Sequence, residues 1–309
     1  MPDETCDLSP LEPVESGPGP DLESGLVVPD GLVLVPTPLG NLGDVSARAT
    51  ATLRAADLVL CEDTRVTARL FLLTGVQARL SPLHEHNEDA RIADVIALLR
   101  QGKRVALVSD AGTPLVSDPG FRLVRAVIAA GLPVAALPGP NAAVLALVLS
   151  GLPPQPFLFM GFPPPRSAAR RAVFERLRAA ERAGLAATTL WYEAPHRVAE
   201  TLEDMAAVFG PRPAAVAREL TKRFEEVRRG ELPELAAHYA EHKARGEVTL
   251  VVGPAPEEAA EEADVDALLR AALDGHSLKE AVAQVTAATG LPRKQVYARA
   301  LALMGDARD

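Results

Sequence analysis

Val105-Ala106-Leu107-Val108 runs directly into Ser109-Asp110-Ala111-Gly112-Thr113-Pro114-Leu115-Val116-Ser117-Asp118-Pro119-Gly120, and this junction decides the fold. A short, continuous apolar run bounded by turn residues fits a strand buried on both faces of a parallel sheet. The loop after it is twelve residues long, where a crossover usually needs about two to six. Glycine and alanine let a ligand lie against the backbone, and proline keeps the loop from winding into helix. Length and composition together predict a loop that cradles something rather than a turn. The junction recurs twice. Leu32-Val33-Leu34-Val35 meets Pro36-Thr37-Pro38-Leu39-Gly40-Asn41, and Val134-Ala135-Ala136-Leu137 meets Pro138-Gly139-Pro140-Asn141-Ala142. Loops at the carboxyl ends of parallel strands are where open α/β sheets bind ligands.

Outward from these junctions, strands are expected at 32–36, 57–61, 79–81, 104–109 and 133–137. Helices are expected between them at 46–55, 64–74, 88–101 and 120–131, with a last one at 140–150. Such alternation predicts right-handed βαβ crossovers and a largely parallel sheet. Gly151-Leu152-Pro153-Pro154-Gln155-Pro156 stops the last helix and puts a domain boundary there, closing an N-terminal α/β domain at 31–152. A second α/β domain follows at 153–253, with strands at 157–160, 188–192, 214–218 and 248–252 and helices near 168–183, 197–209 and 232–245. Residues 254–262 read as an acidic linker, and 263–309 as a helix-turn-helix-like tail. Residues 1–30 are rich in Pro, Glu, Asp and Gly without periodicity and are expected to be disordered.

The charge balance misleads until it is located. The chain of 309 residues carries −9, but residues 1–30 hold eight acids and 254–269 six more, with no base in either segment. Without these fourteen acids the balance of the remainder is +5. A mildly basic body is compatible with a polyanionic partner. No apolar stretch approaches the ~20 residues of a membrane span, and the N-terminus lacks the basic start and apolar core of a signal peptide. Two distant cysteines, Cys6 and Cys61, make neither a disulfide framework nor a thiolate metal site. A soluble cytoplasmic protein is expected.

The common nucleotide signatures are missing. No G-x-x-x-x-G-K-[ST] occurs, and no G-x-G-x-x-G follows any expected strand. No metal site is expected. His238 and His242 lack a third ligand and suit a solvated helix face, while His84-Glu85-His86-Asn87-Glu88 follows a strand. That cluster has two readings, capping of the next helix by Asn87 or a loop facing substrate. Arginine concentrates at Arg166, Arg170, Arg171, Arg176, Arg178 and Arg182, and again with lysine at Arg218, Lys222, Arg223, Arg228 and Arg229. These sets fit either solvated helices or a phosphate-binding surface. In the tail, Ser277 and Glu280 make a capping box, and a Gly-bearing turn leads to Arg293 and Lys294. This shape resembles a helix-turn-helix, which serves nucleic-acid binding or plain packing.

Several ordered motifs resemble one family. They are Val35-Pro36-Thr37-Pro38-Leu39-Gly40-Asn41-Leu42-Gly43-Asp44, Cys61-Glu62-Asp63-Thr64-Arg65, His84-Glu85-His86-Asn87-Glu88, the 109–120 loop and Pro138-Gly139-Pro140-Asn141-Ala142. In the second half, Tyr192-Glu193-Ala194-Pro195-His196-Arg197 and Ala217-Arg218-Glu219-Leu220-Thr221-Lys222 belong to the same set. The pattern is that of the ribosomal RNA small subunit methyltransferase I family, a branch of the tetrapyrrole methylase superfamily. It departs at Asn141 and Ala194, where Ser is common, and at Cys61, where Ala is common. The resemblance implies two α/β domains with S-adenosylmethionine in the cleft between them, a homodimer, and no metal. It implies 2′-O-methylation of cytidine 1402 in 16S rRNA of the small ribosomal subunit. It places Pro38, Asp110, Ala111, Gly112, Thr113, Asn141, Ala142, Tyr192, Ala217 and Thr249 at the cofactor. Glu62, Asp63, Glu219 and Lys222 are candidates for the proton acceptor, Lys222 only if neighbouring cations depress its pKa. Arg65, Arg197, Arg218, Arg293 and Lys294 are candidates for RNA phosphate. The competing readings are methylation of a tetrapyrrole or a protein side chain, and a non-catalytic ribosome-assembly binder.

Overall fold

The structure, a computed structural model, describes residues 26–256, 262–289 and 291–306. The expectations for the acidic extension and linker fall largely outside these residues. The first unit contains β1 (Leu32–Leu34), α1 (Ala47–Ala55), β2 (Leu58–Cys61), α2 (Thr64–Thr74), β3 (Leu80–Pro82), α3 (Glu88–Arg100), β4 (Val105–Leu107), α4 (Phe121–Ala129) and β5 (Val134–Ala136). Its five strands are all parallel, in the order β3-β2-β4-β1-β5. The central strands β2, β4 and β1 are apolar because both faces are covered, whereas the edge strand β3 (Leu80-Ser81-Pro82) is only partly buried. Val33, Val59 and Ala106 pack on Leu53 and Phe71 of α1 and α2. Leu32, Leu60 and Leu107 point the other way, onto Val95, Leu99, Leu123 and Val127 of α3 and α4.

The entry to α4 shows how the long loop is anchored. Gly120 has φ 120°, and a Cβ there would lie 2.6 Å from Leu107 Cδ2. Glu88 is buried, and its Oε1 accepts from the Leu123 backbone N–H at 2.8 Å. Glu88 thus caps α4, a neighbour distant in sequence. Asn87, by contrast, does not cap its own helix. Its Oδ1 accepts from His84 N at 2.9 Å and folds the 84–87 loop back on itself.

The second unit contains α5 (Ala142–Ser150), β6 (Phe157–Phe159), α6 (Ser167–Arg182), β7 (Thr188–Glu193), α7 (Val198–Phe209), β8 (Pro213–Arg218), β9 (Glu226–Glu231), α8 (Leu232–Glu241) and β10 (Val248–Val252). Its sheet runs β6-β7-β10-β8-β9, with only β6 and β7 parallel. Two features differ from expectation. The edge strand β9, Glu-Val-Arg-Arg-Gly-Glu, has no apolar run to announce it, and its charges suit a solvated edge. Helix α5 was expected to close the first domain. Ala143, Ala146 and Leu147 instead pack on Leu190, Ala215, Ala217 and Val251 of the second sheet. Arg229 of β9 donates to the α5 carbonyls of Leu149 and Ser150, capping its C-terminus from that sheet. By packing, the two units meet at Pro138-Gly139-Pro140, ahead of α5.

The opposite face carries α6, α7 and α8 over Trp191, Val216 and Leu250. Helix α6 is not the uniformly solvated cationic helix that its composition suggested. Arg170 is 1% exposed and pairs with Asp204 at 2.6 Å, and Glu181 is buried against Arg212 at 2.6 Å. In the tail, α9 (Glu262–Leu273), α10 (Leu278–Thr289) and α11 (Arg293–Asp306) share a core of Val265, Leu269, Val282, Val285 and Val296. The Ser277–Glu280 box forms as expected, with Ser277 N donating to Glu280 Oε2 at 3.0 Å.

Candidate active site

A cavity of about 360 Å³ lies between the two sheets, where the first-sheet loops meet the strands of the second. Nine of the ten residues expected at the cofactor line it: Asp110, Ala111, Gly112, Thr113, Asn141, Ala142, Tyr192, Ala217 and Thr249. Pro38 lines an adjoining cavity of about 410 Å³, and Asp110 is a wall of both.

Hydrogen bonds lock the three strand-end loops together. Thr37 and Gly112 exchange backbone bonds of 2.9 and 3.0 Å. Thr37 Oγ1 donates to the Ser109 carbonyl at 3.1 Å, and Thr113 Oγ1 to the Pro140 carbonyl at 2.8 Å. Asn141 Oδ1 accepts from Val144 N at 3.1 Å, so this expected ligand contact also caps α5. Gly112 has φ 80° and sits where a Cβ would lie 3.0 Å from Leu39. Leu115 (φ 72°) and Ser117 (φ 69°) hold the left-handed region without glycine's freedom. Strain of this kind, about 1–3 kcal/mol per residue, persists where the surroundings over-determine it. On the other wall Tyr192, Thr249 and Ala217 stand side by side across β7, β10 and β8. Directly paired residues share a face of a sheet, so one register brings three distant residues to one surface.

One side of the cavity is acidic. Burial, with the charges of Glu62 and Asp110, pushes Asp118 up to about 7. Burial also raises Asp110 and Glu62 above the ordinary carboxylate range. Asp110 Oδ1 accepts from Asp63 N at 3.1 Å. Asp63 itself behaves oppositely: hydrogen bonds from Arg65 lower it to about 2. Its side chain caps α2 through Arg65 N at 2.8 Å, so its carboxylate is a helix cap and not a proton acceptor.

The opposite rim is an ion cluster. Lys222 Nζ lies 2.9 Å from Glu219 and 3.2 Å from Glu247. Burial works against its charge, but hydrogen bonds and charge from the two glutamates outweigh it and raise its pKa. The cations that would have depressed it are held elsewhere. Arg218 pairs with Glu226 at 2.6 Å, and Arg223 stacks over Phe224. Lys222 is therefore a charged clasp, not a base. Glu219, lowered mainly by the Lys222 hydrogen bond, is its counterpart.

The cations expected to meet RNA divide. Arg293 and Lys294 are exposed at the start of α11. Arg65 is 89% exposed at its side chain and bound to Asp63. Arg218 is committed to Glu226, and Arg197 donates to Glu193 at 3.1 Å and to the Pro163 carbonyl at 2.7 Å. Arg197 and Arg218 therefore brace the second unit. Asp118, Glu193, Gly246 and Glu247 line the cavity without having been singled out. Asp118 lies near the end of the 109–120 loop, a visible signal; Gly246 and Glu247 carry none. Among the described residues no group of three or more His, Cys, Asp or Glu is placed to hold a metal. The His238 and His242 rings stack at 4.5 Å.

Paired α/β units around a cleft of strand-end loops define a tetrapyrrole methylase. The family model for Tetrapyrrole (Corrin/Porphyrin) Methylases matches residues 31–236, and the chain belongs to that family. Solved structures of the methyltransferase CobJ (TM-score 0.54, 23% identity, 73% of this chain and 94% of that one) and of cobalt precorrin-4 methyltransferase (0.54, 16%, 72% and 94%) share the fold. Within this class the chain belongs to the ribosomal RNA small subunit methyltransferase I family. It is 48% identical to the member from Micromonospora olivasterospora over 86% of this chain and 85% of that protein, and 46% identical to the one from Mesorhizobium japonicum over 88% and 92%. The Escherichia coli O157:H7 member is 42% identical over 89% and 96%. The model for the RsmI C-terminal HTH domain matches residues 259–304. The chain is a methyltransferase.

Proposed function

We propose that this protein transfers a methyl group from S-adenosylmethionine to the ribose 2′-oxygen of cytidine 1402 in 16S rRNA, acting as a homodimer in the cytoplasm. The observation that carries this reading is the cavity shared by both units, built from the motifs common to the family.

The residues fit the cofactor. Small and apolar groups (Ala111, Ala142, Ala217, Leu220) suit an adenosine, and carboxylates with raised pKa values suit a ligand that brings positive charge. When bound, S-adenosylmethionine supplies a methyl already activated on a sulfonium. The protein's own part is to position, to exclude water and to take a proton. Orientation can supply up to ~7–11 kcal/mol. Of the four sequence candidates for the base, Glu62 keeps a raised proton affinity. Asp110 is better placed, because it borders both cavities. Its Oδ1 is held by Asp63 N, which leaves Oδ2 to accept the hydroxyl proton. Exposed Arg293 and Lys294 on the tail supply sequence-independent phosphate attraction.

The test is incubation with labelled S-adenosylmethionine and unmodified 30S subunits, free 16S rRNA, or a precorrin. Label on a ribose 2′-oxygen of the rRNA is expected. Label on the precorrin alone would replace the RNA reading with the tetrapyrrole one.

A further inference from the structure

The adjoining cavity of about 410 Å³ shares only Asp110 with the walls of the larger cleft. It is lined by Thr37, Pro38, Gly40 and Leu42 of the first strand-end loop, by Val66, Thr67, Arg69, Leu70 and Leu73 of α2, and by Ser109, Asp110 and Lys222. Three observations bear on its occupant. First, its volume is that of a small-ligand site, and Asp110 is its common wall with the cofactor cavity. A group seated there meets the reacting centre at that carboxylate. Second, its outer wall is apolar yet open: Leu42, Val66 and Leu73 are 41%, 43% and 58% exposed. Side chains of this kind in contact with solvent mark a surface that something flat and apolar covers. Third, two cations rim it. Arg69 is exposed and has no ion-pair partner among the described residues. Lys222 reaches over from the second unit, passing so close to Gly40 that a Cβ there would collide with its Cγ.

We propose that this cavity between α2 and the loop after β1 receives the acceptor nucleotide, turned out of its RNA strand, with Arg69 on a flanking phosphate and Leu70 and Leu73 against the base. The proposal rests on the functional reading above and adds to it the place of the substrate. Charge complementarity selects the occupant: an apolar patch edged by a free guanidinium suits a nucleotide's base and phosphate. Seating the nucleotide here brings its ribose to the Asp110 wall, across from the cofactor. The base, turned out of its stack, then rests on apolar side chains, as unstacked RNA bases commonly do on protein surfaces.

Two exposed positions test this without touching the core. Arg69→Glu reverses the phosphate contact, and Leu73→Trp fills the cavity. Binding of a fluorescein-labelled oligoribonucleotide carrying the acceptor cytidine is followed by anisotropy on protein saturated with S-adenosylhomocysteine. Affinity for S-adenosylhomocysteine is measured separately by calorimetry. RNA affinity is expected to fall at least tenfold in both variants, with S-adenosylhomocysteine affinity within twofold of wild type. RNA affinity within twofold of wild type in both variants overturns the assignment. Loss of RNA affinity together with a change from dimer to monomer in light scattering also overturns it, because α2 would then be a contact between copies of the chain. If wild-type protein binds the RNA and both variants lose that binding, yet the wild type leaves no methyl on the ribose, the pocket assignment stands and the functional reading is overturned instead.

Discussion

Two rims face each other across the cleft, and both are built from carboxylates. On the first-sheet side, Glu62, Asp110 and Asp118 lie near one another with no ion-paired cation among the described residues, and all three are raised. On the second-sheet side, Glu219 of the Lys222 clasp, and Glu226 on the edge strand away from the cavity, are each paired with a cation, and both are lowered. The residue types are the same; the neighbours differ. A carboxylate given a cation is structure, whereas a group of carboxylates denied one is ready for a ligand that brings charge or a proton.

The largest break in this comparison comes from Asp110. Asp110→Asn removes the proposed proton acceptor while keeping shape, and methyl transfer is expected to fall about 10²–10⁴-fold with little change in melting temperature. A wild-type rate would move the proton to Glu62. On the structural side, Arg212→Met removes the 2.6 Å partner of buried Glu181 and leaves it, among the described residues, only Arg178 at 3.5 Å, which should cost up to roughly 3–5 kcal/mol in urea unfolding, as broken buried pairs do. Stability within error of wild type would mean that Glu181 finds another partner.

Asp118 sharpens the comparison through pH. Its folded value of about 7 exceeds the ordinary 3.8, so the native state holds the extra proton between them. Its contribution therefore makes folding stability fall as pH rises from about 4 to about 7. A cationic ligand favours the ionised form, so affinity for S-adenosylmethionine relative to S-adenosylhomocysteine should rise toward pH 7, by at most about tenfold per pH unit, and then level. Asp118→Asn should flatten that ratio; a slope unchanged in the variant would assign it to Glu62 or Asp110. The smallest effect belongs to the clasp. Lys222→Arg keeps the charge between Glu219 and Glu247, and transfer should fall less than about tenfold with the pH profile retained. Near-abolition of transfer at neutral pH, with the rise in rate displaced to far higher pH, would restore Lys222 as the base, because a base acts only when deprotonated.

Much of this was legible beforehand where the signal is local. The three strands that carry the site loops are continuous apolar runs, and the loops that follow them are marked by Gly, Pro and length, so nine of the ten expected cofactor residues reach one cavity. Strand β9 was illegible because an edge strand needs no buried face, and Glu226–Glu231 offers almost none. Asp63 and Asp118 show the limit most clearly. Both are aspartates in motif segments, yet one is bound by Arg65 two residues away and the other is half-buried among carboxylates brought from 8 and 56 residues distant.

The alternation of strand and helix, the ligand-bearing loops and the family could be read from the order of residues, because periodicity, turn chemistry and ordered motifs are properties of neighbours along the chain. Tertiary structure alone decided that α5 packs on the second sheet, that Arg170, Arg197 and Arg218 brace the protein, and that Asp110 stands between two cavities. Those outcomes depend on which groups are brought within a few ångströms and which are shielded from water, and neither distance nor dielectric is written in the order of residues.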